Sequence, residues 1–397
     1  MIRISPIAVR LSFYYAALLS VTGIQLPYWP LYLASKGLNA PEIGQILAAS
    51  YLIKIVTNPL VGMAADRRGA RRGPLILLAF VSLVATAVFP LADGFLSVLI
   101  VTLVSSAAYT AMLPLGDSLT MQCTISHRLD YGRIRLWGSI SFIVVASLAG
   151  QQLTSAPRSA ILWASLAGLL ANLASTFYLP DLRSEPAKGK AVSLRPLLAS
   201  RPFQLFLACC SLGQASHMIY YGFATLHWRA AGLSGTIIGA LWAEGVIAEV
   251  VFFALGARLV TRFGPVALMI VSGLAGVLRW SVLATTTDPI ILACVQGLHA
   301  LTFGAGHLGA MHFISRSTPT GLSARAQGIY SAVVTGVVSG LAMLGSGTLY
   351  HYLNGEAFFV MCLMSLMAVL LAFALKRQWS GGMLVAAPSL SEKCDGA

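Results

Sequence analysis

The sequence predicts an all-α membrane protein with twelve transmembrane helices in two pseudo-symmetric six-helix halves. Three observations predict it. The 397-residue chain is 57% hydrophobic, with a mean hydropathy of +0.80 and only 10% Asp, Glu, Lys or Arg, against roughly 25% charged residues in a soluble domain. Its apolar runs recur at the roughly 20-residue length that a bilayer core of about 30 Å requires. One long polar connection, "DLRSEPAKGKAVSLRPLLASRP", falls near the middle.

In chain order, the runs between charged or Pro/Gly-rich breaks lie near 11–34, 42–65, 74–92, 96–121, 134–155, 159–179, 203–227, 236–259, 265–285, 289–315, 324–349 and 356–376. The polar connection divides them into an N-terminal half (1–180), a central loop (181–202), a C-terminal half (203–379) and a tail (380–397). The first run leads into "LPYWPLYLASKGL" and not into a small-residue cleavage site, so it reads as a retained span.

Charge orients the chain. With both termini in the cytoplasm, 21 of the 26 Lys and Arg fall on cytoplasmic segments, Lys36, Arg158 and Arg229 fall opposite, and Lys54 and Arg279 fall inside spans. This bias is the positive-inside signal and predicts a multi-pass protein of the cell inner membrane. The net charge of +13 does not point to nucleic acid, because the basic residues form short clusters between apolar runs and not a stripe with interleaved aromatics. Six cysteines without a C-x-x-C pair predict neither a disulfide framework nor a metal site. No phosphate-binding G-x-x-x-x-G-K-[ST], H-E-x-x-H or G-x-S-x-G occurs, which argues against ATP coupling and against an enzyme.

A weak internal repeat supports the halving. "GMAADRRG" follows the second run and "ARLVTRFG" follows the eighth, so Gly69 matches Gly264 and Arg67 matches Arg262, with Thr261 in place of Asp66.

The stretch "GMAADRRGARR" (62–72) resembles the signature loop of the major facilitator superfamily in Gly62, Asp66, Arg67, Gly69, Arg71 and Arg72. Gly62 is expected to allow close helix approach and Gly69 a tight turn. Asp66 is expected to cap the next helix and pair with arginine across the gap between halves, as a conformational latch; the arginines also serve as a positive-inside anchor. "LPYWPLYLASKGL", "LDYGRIRLWGSISF", "YYGFATLHW" and "LWAEGVIAE" resemble the phenylpropionate permease branch of this superfamily. More distantly the chain is similar to lactose-type proton symporters. The resemblance implies the major facilitator fold and a secondary transporter working by alternating access, without cofactor or metal. It implies proton-coupled symport of a small aromatic or arylalkanoic acid such as 3-phenylpropionate, with a lactose-type oligosaccharide symporter as the alternative and a non-transporting membrane sensor third. The expected partners are the solute, protons and the lipid bilayer, and the expected state is monomeric.

Charges inside spans cost about 2.5–3.5 kcal/mol each on insertion scales, so they face a cavity or a partner. Lys54, Asp117, Arg135, Glu244, Glu249 and Arg279 qualify. Asp117 and Arg135 lie at similar depth in an antiparallel pair, where they can bracket a substrate, as the lactose-type resemblance implies, or tie two helices. Phe142 stands where that family stacks a Trp on its sugar. Glu244 and Glu249 lie about 140° apart around one helix, and Arg279 can partner either. Asp117, Glu244 and Glu249 are the candidate proton carriers. Lys54 lies about 18 Å along its helix from Asp66, deep enough to meet a ligand carboxylate.

In "QGLHALTFGAGHLGAMHF", Gln296, His299, Phe303 and His307 fall on one helical face. His299 matches the lactose-type histidine, but Thr302 replaces the glutamate that carries the proton there, which leaves His299 and His307 as secondary coupling candidates. His312 points away from both, against a zinc site. Gln25, His217 and Tyr220 complete the expected cavity lining, with Tyr221 beside them.

Overall fold

The computed structural model describes residues 5–152, 156–182 and 194–385, all of them in helices or short connections among the described residues. Residues of the central loop at 183–193, the tail at 386–397, Arg3, Lys393 and Cys394 lie outside the described residues.

Local chemistry starts and stops the helices. Helix α1 (Pro6–Ser35) opens on proline, whose missing N–H costs nothing in a first turn. Helix α2 (Ala40–Arg68) starts from a capping box: the Asn39 side chain accepts from Glu42 N at 3.0 Å and the Glu42 carboxylate accepts from Asn39 N at 2.9 Å. It ends at Gly69, whose φ of +63° is the left-handed cap that glycine adopts without strain. Helices α3 (Arg72–Ala87), α4 (Phe95–His127), α5 (Tyr131–Gln152) and α6 (Ser159–Phe177) complete the first bundle. Helix α8 (Gly235–Phe263) ends at Gly264 with φ +78°, so the repeat seen in sequence recurs as a positive-φ glycine after both α2 and α8. Helices α9 (Pro265–Thr285), α10 (Pro289–Ser317) and α12 (Phe358–Gln378) follow.

Helix α7 departs from the expected continuous span at 203–227. It runs as Arg201–Ala215 and then Met218–Ala230. Both Ser216 Oγ and His217 Nδ1 bond the Gly213 carbonyl, at 2.7 and 3.0 Å. That carbonyl is the acceptor the His217 N–H would otherwise use; it bonds Gln214 O instead, at 3.1 Å, and the helix breaks. Helix α11 (Thr320–Tyr330, a π-segment Ser331–Val338, then Ser339–Leu353) is also longer than expected. Among the described residues, ten helical stretches are long and apolar enough to span a membrane; the last of these, Arg325–Gln378, takes in most of α11 and all of α12, and the broken α7 falls short. The expected twelve spans follow.

The packing explains where the molecule is open. Lipid supplies no hydrophobic drive between helices, so close backbone approach and van der Waals contact must hold them together. At the end away from the 62–72 loop, a Cβ on Gly347 would sit 2.2 Å from Ala40 O and one on Gly150 2.4 Å from Gly235 O, closing α2 on α11 and α5 on α8. One apolar cluster, including Ile24, Leu33, Ile43, Trp228 and Trp280, is shared by both bundles there. At the basic end each bundle keeps its own cluster, around Leu11, Leu75 and Leu119 in the first and around Phe203, Phe206 and Phe313 in the second. The bundles touch at one end and part at the other.

Candidate functional site

Midway along this V lies a cavity of about 200 Å³. Helix α1 contributes Leu19 and Leu26, and α5 contributes Arg135, Ser139 and Phe142. The second segment of α7 brings Tyr220 and Tyr221; α8 brings Trp242, Val246 and Glu249, one stripe at i, i+4 and i+7; α10 brings His299 and Phe303. A wider cleft of about 880 Å³ between α5 and α8 shares Arg135 and Ser139 with it and opens toward the basic end.

The walls differ in chemistry. Phe142, Tyr220, Tyr221, Trp242 and Phe303 present ring surface, and Tyr220 and Trp242 lie with centroids 4.7 Å apart. Arg135 is the cation in this wall. It makes no ion pair among the described residues, and its guanidinium stands 5.3 Å from the Tyr15 ring centroid. The expected Asp117–Arg135 pair is not formed. Asp117 accepts instead from Tyr15 Oη at 2.5 Å and Tyr131 Oη at 2.9 Å, away from the cavity, because α1 slots a tyrosine between the two.

Glu249 is the acid in the wall, and its Oε2 stands 3.5 Å from His299 Nε2. Behind His299 lies Arg279, fully buried. It donates to His299 Nδ1 at 3.1 Å, Thr302 Oγ1 at 3.2 Å and Gln296 Oε1 at 2.5 Å, and it lies 4.6 Å and 4.7 Å from the Tyr220 and Trp280 rings. Arg279 has no carboxylate partner among the described residues, contrary to the expected pairing with Glu244 or Glu249. A guanidinium can only donate, so Nδ1 of His299 accepts from Arg279 and Nε2 is the ring nitrogen on the side of Glu249. His299 thus stands between a permanent buried cation and a cavity carboxylate.

The other expected site residues scatter. Glu244 is half-buried on another side of α8 and does not line the cavity. His217 sits behind it, stacked on Tyr221 and edge-on to Trp280, with Nε2 buried and unpaired. Gln296 is buried between Arg279 and Tyr220, donating to Tyr220 Oη at 3.2 Å. His307 stacks on Phe303, which stacks on His299, but it lines a separate small void with Cys209 and Gln214. A π-segment at Ala300–Ala305 separates the two histidines; Ser272 Oγ of α9 draws the Thr302 carbonyl out at 2.7 Å. Gln25 is half-buried beside Leu26 and outside the lining. Lys54 lies outside it too, 4.6 Å over the Tyr51 ring and without an ion pair among the described residues.

In the 62–72 loop Asp66 pairs with Arg71 at 3.0 Å, within its own bundle and not across the gap. Arg71 Nε donates to Ser118 at 2.8 Å, and Arg72 donates to Phe177 O. A Cβ on Gly62 would meet nothing within 4 Å beyond its own helix, so the expected close approach there is absent, whereas Gly69 makes the expected turn. Arg67 and Arg68 are exposed.

A sequence model of the MFS_1 like family matches residues 8–361. The chain belongs to that family. This MFS_1 like protein is 32% identical over 352 residues, 88% of its length and 93% of the relative's, to a probable 3-phenylpropionic acid transporter of Escherichia coli (strain K12). It is 28% identical over 385 residues, 93% and 95% of the two chains, to a maltose permease of Geobacillus stearothermophilus. Among solved structures, the nucleoside transporter NupG superposes with a TM-score of 0.76 at 20% identity, over 94% of this chain and 99% of that one. A bacterial homologue of the lysosomal transporter Spinster gives 0.76 at 12% identity, over 96% and 98%. These structural likenesses establish the major facilitator fold. The protein is a multi-pass membrane transporter and not an enzyme.

Sequence reasoning missed Tyr15 and Tyr131, which occupy Asp117, and also Ser139 and Trp242. Trp242 was open to discovery, since it precedes Glu249 by seven residues and so shares its helical face.

Proposed function

We propose that this MFS_1 like protein imports a small arylalkanoic acid, of the size and chemistry of 3-phenylpropionate, together with protons. The observation that carries the reading is the cavity's division into an aromatic wall and one guanidinium, Arg135, that makes no ion pair among the described residues. A phenyl ring fits among Trp242, Tyr220 and Phe142, and its carboxylate meets Arg135, whose planar fork suits it. The named activity of the Escherichia coli relative supports the same class. In this role Arg135, and not Lys54, is the carboxylate anchor.

Glu249 is then the proton carrier among the three candidate acids, because Asp117 is occupied by two tyrosines and Glu244 stands off the cavity. In the loaded state Glu249 is protonated and the solute's carboxylate neutralises Arg135. Unloaded, Glu249 is the nearest acid on the cavity wall to balance the cations. The basic end faces the cytoplasm with both termini, in the cell inner membrane, so the V described above is an inward-open state. The halves at 1–180 and 203–379, joined by 181–202 and followed by the tail at 380–397, rock about the cavity. The Asp66–Arg71 pair ties the α2–α3 turn to α4 as the latch of that motion, and the transporter acts as a monomer.

The maltose permease relative keeps a sugar symporter as the second reading. A sugar needs many hydrogen-bond partners, whereas the walls here are mostly ring and aliphatic carbon. The test is uptake into proteoliposomes under an inward pH gradient. Labelled 3-phenylpropionate should accumulate and maltose or lactose should not compete. Accumulation of the sugar alone would overturn the reading, and binding without uptake of either would mark a sensor.

A further inference from the structure

A groove of about 700 Å³ runs along the outside of the first bundle, between the start of α1 and the start of α5. Val9, Phe13 and Trp137 line its length, all strongly exposed, and Ser12 lies among them. Its mouth, at the basic end, carries Arg128 and Arg133. The one acid there, Asp130, pairs with Arg133 at 3.5 Å, so the mouth keeps a net positive charge. Arg128 is exposed and makes no ion pair among the described residues.

Arg128 also has a backbone peculiarity. It caps α4 in the left-handed region, at φ +50°, with Leu129 N bonding Thr124 O at 3.0 Å. Glycine takes this position without strain, as at Gly69; an arginine does not. Strain kept at one position is a pointer to a role for its side chain.

We propose that this groove holds an anionic phospholipid of the adjoining leaflet, its phosphate between Arg128 and Arg133 and one acyl chain along Val9, Phe13 and Trp137. A bilayer places a phosphate at the ends of spanning helices and hydrocarbon beside them, and that order, charge at the mouth and apolar wall beyond, is the order of the groove. Basic pockets between membrane helices recognise such headgroups, and an interfacial tryptophan fits the boundary between the two zones.

The test is lipid retention. The full chain is purified from vesicles of equal phosphatidylglycerol and phosphatidylcholine and the lipid held through delipidation is measured by native mass spectrometry. Phosphatidylglycerol should be retained about fivefold less for each arginine lost, in Arg128→Gln and Arg133→Gln. Arg258→Gln and Arg262→Gln, at the exposed end of α8 and outside the groove, should retain it as the wild type does. Arg128→Gly separates structure from binding: its thermal unfolding should be unchanged or higher while phosphatidylglycerol retention falls. Equal retention of both lipids, retention indifferent to Arg128 and Arg133, an equal loss in the α8 variants, or a free fatty acid in place of the phospholipid would overturn the proposal.

Discussion

His299 sets its Nε2 3.5 Å from Oε2 of Glu249. Because Arg279 donates to the opposite ring nitrogen, Nε2 is the nitrogen left on the side of the carboxylate, close to it but not hydrogen-bonded to it. His299 thus separates Glu249 from the buried Arg279. Replacing Glu249 by Gln should abolish accumulation against a gradient while sparing exchange of labelled 3-phenylpropionate across the membrane. Full uphill accumulation by Glu249→Gln would move the coupling site to another group, with Asp117 and Glu244 the next acids to test.

Arg135→Gln should weaken binding of 3-phenylpropionate about 10- to 100-fold, the worth of one charge-assisted hydrogen-bonded contact. The neutral 3-phenylpropionamide should bind wild type and variant alike, since it has no charge for Arg135 to meet. Competition binding at one fixed pH reads both. An equal loss for acid and amide would mean that Arg135 supports the fold of the cavity and not the carboxylate.

Gly347→Leu should wedge α2 from α11, because a Cβ there already falls 2.2 Å from the Ala40 carbonyl. Overpacking of this kind costs about 1–3 kcal/mol, and the contact it strains exists only while the far end is shut. A cysteine placed at Ser139 should therefore be labelled faster from the far side by an impermeant thiol reagent. No change in labelling would show that closure there does not depend on this contact.

Asp66→Asn should slow transport and leave solute affinity nearly intact, since the pair with Arg71 lies in a loop away from the cavity. The loss of stability should stay below about 1 kcal/mol, as befits a partly exposed pair, with Arg71 still bonded to Ser118. Initial uptake rates beside equilibrium binding give the two quantities. A collapse of affinity with normal rates would remove the loop from any latch role.

The spans and their number were legible because apolar length is set by the bilayer, and Gly69 because a turn after a helix needs a left-handed residue. What the sequence left open was azimuth and competition for acceptors. Asp117 and Arg135 do lie at similar depth, but depth does not say which way a side chain points, and Tyr15 arrives from a helix a hundred residues away in the chain. Arg279 drew the expectation of an acid because a buried cation needs compensation; Gln296, His299, Thr302 and two aromatic faces supply it without one. The break in α7 was hidden for a simpler reason. Ser216 and His217 act on the backbone through their side chains, while the hydropathy of the run continues unbroken across them.

The glycine contacts between α5 and α8 have a mechanical consequence. They place the fulcrum at one end of a rod of 22 residues, which at 1.5 Å per residue makes a lever arm of about 33 Å. A tilt of about 10° about such a point carries the opposite tip about 6 Å, more than the roughly 3.5–4.0 Å that separates packed carbon atoms. Small angular play at the glycines is thereby amplified into a gap that an aromatic ring can cross. The bulk of each residue at the fulcrum therefore limits how far the basic end can open, although none of the glycines there lines the cavity.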